Sequence, residues 1–156
     1  MVVSIGTTLA GMGVWTLSNR RRVEETRTLA RNVQFAMMRA RGTAIGDGFQ
    51  RRLSCTATAC SLLAATTSGM GTPAGWNNNG QLVQAGTEGV LWAVDTNTDV
   101  GATSPSGPIA GTKTITFYPD GTSDAATVFV TDVNSAKKYK VFVYSATAMP
   151  RMVDSW

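Results

Sequence analysis

Between residues 14 and 41 the chain contains neither proline nor glycine, and that gap constrains the fold more than any other feature. Proline and glycine are the residues a helix interior most strongly avoids. From Val23 a second signal joins the first. Val23, Thr26, Ala30, Val33, Met37, Ala40 and Ala44 recur in alternating steps of three and four, which puts all seven on one stripe of a helix. Leu29 and Ala36 widen that stripe, while Arg27, Arg31, Arg39 and Arg41 mark the other side. "IGDG" at 45–48 supplies glycine at the stop. The spacing therefore predicts one helix of about 40 residues, about 60 Å long. The small residues of the stripe suit close approach by a sheet or another helix, and we expect it to serve in assembly.

Upstream, "MVVSIGTTLAGMGVWTL" carries no charge, and "SNRRR" ends it. The basic residues follow the apolar run instead of preceding it, the reverse of a secretory signal peptide. Gly6, Gly11 and Gly13 dilute it as a membrane span. A small domain cannot cover so long a rod, so its first half is expected in a membrane or an assembly. The chain then divides into an apolar half-helix at 1–22, an amphipathic half at 23–47 and a β-rich head at 48–156. Arg20, Arg21 and Arg22 sit where they would meet either anionic headgroups or solvent.

The head is built from alternating stretches. "FQRRLSC" at 49–55, "EGVLWAVDT" at 88–96, "KTITFYP" at 113–119, "ATVFVTD" at 126–132 and "KYKVFVYS" at 138–145 read as strands, with a short one near "RMV" at 151–153. "DG" at 120–121 reads as a hairpin turn and "NSAK" at 134–137 as a second turn. Residues 64–80 and 97–111 read as loops from their Gly, Pro and Asn content. Several strands carry apolar groups on both faces, which predicts one face against the helix and the other against a second sheet. The fold class is α+β.

Charge and residue inventory narrow the chemistry. The formal charge of +4 is confined to residues 1–48, where seven Arg face three carboxylates; residues 49–156 are neutral. A nucleic-acid-binding head usually carries its own basic excess. Arg51, Arg52 and Arg151 would form an anion or DNA contact only if the fold gathers them. Histidine is absent, which excludes imidazole bases and His-ligated metals within this chain. No nucleophile–base pair or phosphate loop is visible. We expect no enzyme activity, no cofactor, no metal and no small-molecule substrate. Cys55 and Cys60, in "CTATAC", are either free thiols of a reducing compartment or a small disulfide loop in an exported chain, and the N-terminal segment favours export. "DTNTDVG" at 95–101 resembles the start of a calcium loop, but Val100 replaces the turn glycine and Ser106 the bidentate Glu, so an Asx-rich turn is favoured. Trp76, beside Asn77–Asn79, would stack on a sugar or base or pack beneath a loop.

The long helix followed by "ITFYPDGTSDAATVFVTD…KKYKVFVYSATAMPRM" resembles the GspH/FimT-type minor pilins and pseudopilins. The likeness lies in Phe117, Pro119 and Gly121, the strand around Val128–Thr131, Val141–Val143 and Thr147, and in "NRRRVEETRTLARNVQFAMMRARGTAI" at 19–45. It covers most of the chain outside 55–112. In the closing motif Ala148 stands at the usual Gly and Met149 at the usual first Arg, and only Arg151 is kept. The resemblance implies a non-enzymatic subunit held in the bacterial inner membrane, with a periplasmic head, before extraction into a pilus or pseudopilus. It implies pilin or pseudopilin partners bound through the helix, contact with the inner-membrane assembly machinery, and a role in starting or capping the filament. It implies a Phe-Thr-Leu-Ile-Glu-Leu-like junction upstream of Met1. The alternative it carries is a FimT-like subunit that captures DNA.

Overall fold

The computed structural model describes residues 3–86, 91–95, 108–132, 134 and 137–154, and the side chains among them outside 3–19 and 91–95. One helix, α1 (Val3–Asp47), is followed by β1 (Phe49–Cys55), β2 (Ala59–Ser68), β3 (Trp76–Gln84), β4 (Leu91–Asp95), β5 (Lys113–Phe117), β6 (Ala126–Thr131), β7 (Lys138–Val143) and β8 (Pro150–Asp154). The 45 residues of α1 make a rod of about 68 Å at 1.5 Å per residue. It ends where expected: Gly48, at φ 72°, donates its N–H to the Ala44 carbonyl at 3.1 Å. That left-handed conformation costs a residue with a Cβ about 1 kcal/mol or more.

The strands form two four-stranded antiparallel sheets, ordered β3-β2-β1-β5 and β4-β6-β7-β8. The helix packs against strands of both. Thr26, Leu29, Ala30, Val33, Ala36, Met37, Ala40 and Ala44 are buried, and all but Thr26 join one apolar cluster with Leu53, Ile115 and Phe117 of the first sheet and Val128, Val130, Val141 and Val143 of the second. Small residues dominate the helix side of this core, so the backbone can lie close to both sheets. The expectation that the helix would take one face and a second sheet the other is thus partly met: both sheets share the helix.

Two assignments are corrected. Residues 64–68 and 76–80 are not loop but belong to β2 and β3, which pair antiparallel from Ala65↔Trp76 to Ala59↔Gln84. β3 is an edge strand whose residues 77–81 are exposed on both sides, so no hydrophobic alternation marks it. Nor does Asp120-Gly121 close a hairpin. β5 pairs with β1 in one sheet and β6 with β4 and β7 in the other, leaving only an isolated bridge between Phe117 and Ser123. The turn is a crossover between sheets. Gly121, at φ 86°, donates to the Tyr118 carbonyl at 3.0 Å and lies against Ile45 and Arg41 of the helix. Asp120 Oδ1 accepts from the Thr122 hydroxyl at 2.7 Å and its N–H at 2.9 Å, and these bonds hold the Asp120 carboxyl below its usual range. Asp124 then seals the free edge of β5, accepting from the Thr116 N–H at 2.9 Å and donating its own N–H to the Thr116 carbonyl at 2.9 Å. The calcium-like stretch at 96–101 lies outside the described residues, and among them no three potential metal-ligating side chains cluster.

Candidate functional site

Two segments join the end of the chain to the helix. Arg41 Nε donates to the Thr147 carbonyl at 3.0 Å, and Gln34 Nε2 to the Pro150 carbonyl at 3.3 Å. Between these anchors Ala148 is fully buried with φ 47°, its N–H bonded to the Tyr144 carbonyl at 2.8 Å. Left-handed backbone at a residue other than glycine explains why the motif it resembles has Gly there. The closing segment is therefore a structural latch against the helix.

The cysteines form a disulfide. Cys55 and Cys60 face each other in the β1–β2 register, and the bond closes the tip of that hairpin at its buried end. The Thr56 N–H and the Ala59 carbonyl complete the turn at 2.8 Å.

The three arginines are not gathered. Arg51 is buried on β1 and its guanidinium is bonded to Asp47, the last residue of α1. Arg52, the next residue, faces the other side of the strand and lies over the Trp76 ring, 3.9 Å from its centroid. Arg151 is exposed on β8, in the other sheet, opposite Phe142. A phosphate clamp made of all three does not form. Trp76 is half-buried, with an arginine stacked on it. Burial and then Asp124 push the Tyr118 phenol above its usual range, with Arg52 pulling weakly the other way.

The expected assembly stripe lies mostly under the head. Thr26, Ala30, Val33, Met37, Ala40 and Ala44 are all fully buried against the chain's own sheets, and only Val23 is half-exposed. Those six side chains are core, not an open interface. What the head leaves uncovered is the reverse arc: Arg27, Thr28, Arg31, Asn32, Phe35, Met38, Arg39, Gly42, Ile45 and Gly46. Phe35 is 64% exposed, Ile45 45% and Met38 39%. A cavity of about 140 Å³ opens beside Phe35, lined by Asn32, Phe35, Ala36, Arg39 and Leu82. The sequence hid this arc because its apolar residues interrupt an otherwise polar face, and heptad counting follows the longer stripe. Among the described residues, no helix is long and apolar enough to cross a membrane.

A single long helix laid across two small antiparallel sheets defines the type IV pilin-like fold. The minor pseudopilin EpsH from the Type 2 Secretion System of Vibrio cholerae has a similar structure, with a TM-score of 0.58 over 83% of this chain and 97% of that one, at 13% identity. No protein-family model matches the chain, and no curated protein sequence matches it.

Proposed function

We propose that this chain is a non-enzymatic minor subunit of a type II secretion pseudopilus or type IV pilus that helps start or cap the filament. The carrying observation is the mismatch between rod and head. The helix begins at Val3, whereas its described core residues run from Thr26 to Ala44. Ahead of them lies a stretch without charge as far as Leu17. Such a segment is a shared element, held by lipid before assembly and by neighbouring subunits after it. The likeness to EpsH, a pseudopilin, supports the same reading. On this proposal residues 1–22 are the polymerisation half of the helix, 23–47 its head-bound half and 48–156 the periplasmic head, with the inner-membrane machinery and other pilins as partners. DNA capture is the weaker alternative, because Arg51 and Arg52 are already engaged within the fold.

The test is incorporation of the full chain into sheared filaments of a producing bacterium. Val14→Asp places a charge within the uncharged run and is expected to abolish incorporation while leaving the melting of the head unchanged. Equal incorporation of the variant would remove the proposal.

A further inference from the structure

We infer that the exposed arc of α1 from Arg27 to Gly46 is a docking face for a different subunit, one that presents a helix with an apolar knob flanked by carboxylates. The inference rests on the filament-subunit reading above and names what that reading leaves open.

Three observations converge. Six large apolar side chains are exposed among the described residues, and Phe35, Met38 and Ile45 are three of them, all on this arc. At positions 35, 38 and 45 they follow helical spacing, so they form one ridge and not scattered exposures. The open cavity between Phe35 and Leu82 offers that ridge a socket, with Ala36 at its floor and Asn32 and Arg39 at its rim. It has room for one aliphatic or aromatic side chain from outside. Finally, Arg27, Arg31 and Arg39 lie in one four-residue row with Phe35, and no carboxylate pairs with them among the described residues. The arc from 27 to 46 contains no acidic residue at all. Gly42 and Gly46 continue it with open space where a Cβ would stand, which permits close approach of a second backbone.

Charge decides who the occupant is. A second copy docking by the same arc would set arginine against arginine around the apolar centre, which opposes association. An acidic helix meets the same arginines favourably, and its apolar side chain enters the socket beside Phe35. The face thus selects against its own kind.

The experiment uses the full chain in mild detergent and two synthetic helical peptides of one leucine-centred sequence, flanked by glutamates in one and lysines in the other. Fluorescence anisotropy is expected to show the glutamate peptide binding at least about tenfold tighter at low salt, with the advantage shrinking as salt rises. Phe35→Ala should weaken it about tenfold, and Arg31→Ala and Arg39→Ala about threefold each, with unchanged melting. Equal binding of both peptides, or indifference to Phe35→Ala, would overturn the inference. So would a Met38→Cys chain that readily oxidises to a disulfide-linked homodimer, since the native cysteines are already bonded to each other. A failed peptide result with Val14→Asp still blocking incorporation sinks the partner assignment alone; indifference to Val14→Asp sinks the filament reading beneath it.

Discussion

Met37 and Phe35 stand two residues apart on α1 and should respond oppositely to truncation. Met37 is 0% exposed, between the two sheets, and Phe35 is 64% exposed. Met37→Ala deletes three side-chain atoms, each about the size of a methylene; at about 0.8 kcal/mol apiece the lost burial is about 2.4 kcal/mol. A hole of roughly 60 Å³ that does not collapse adds about 1.4 kcal/mol at about 24 cal/mol per Å³. The expected loss is therefore about 2.5–4 kcal/mol, or a melting temperature lower by about 10–20 °C for a cooperative unit of this size. Phe35→Ala should stay within about 0.5 kcal/mol of the parent, because an exposed side chain takes little from water on folding. Thermal unfolding of the full chain in mild detergent, followed by far-ultraviolet circular dichroism, measures both. If Met37→Ala melts with the parent while Phe35→Ala falls, the helix docks by its other face and both the core and the docking arc are misassigned.

Three further outcomes are expected. Reducing the Cys55–Cys60 bond, or replacing both residues with Ala, should destabilise the head by about 2 kcal/mol, the chain-entropy value for so short a loop; a change in denaturation midpoint far above that would mean the bond does more than restrain the hairpin tip. Asp47→Ala should cost more than Arg51→Met in the same assay, because the first strands a buried guanidinium and the second removes it. Since Asp47 is half in solvent, its loss is set at about 1–2 kcal/mol, below the fully buried case. Tyr118 keeps its proton longer in the folded state than in the unfolded one, so its contribution is intact below pH 10 and is lost as pH rises through its raised folded value. Tyr118→Phe should flatten the alkaline limb of the stability curve, and ring-carbon NMR should show Tyr118 titrating above pH 10.

The sequence carried the helix and most of the head, because each followed a single period. Gly48 ended α1 as "IGDG" predicts, and β1, β5, β6, β7 and β8 lie where alternation put them, to within two residues. What failed were features in which local pattern and tertiary placement diverge. β3 is too polar to announce itself, since an edge strand exposed on both faces needs no apolar side. Asp-Gly favours a tight turn but cannot state whether the strands it joins will pair; here Asp124 occupies the edge of β5 that a hairpin would need. The heptad found the buried stripe yet not its cover: 3.6-residue periodicity is the same whether a sheet or a sister helix lies across it. The arginines show the same limit, for adjacent positions on a strand part company across the sheet whatever their shared charge.

The way α1 lies across both sheets also bears on mechanical load. A tug along the rod's axis loads the eight buried side chains between Thr26 and Ala44 together, along with the Gln34 and Arg41 tethers to the last strand and its turn. Nothing in that arrangement unzips one contact at a time. Pulled from its front end, the shaft would carry the body along before it slid free.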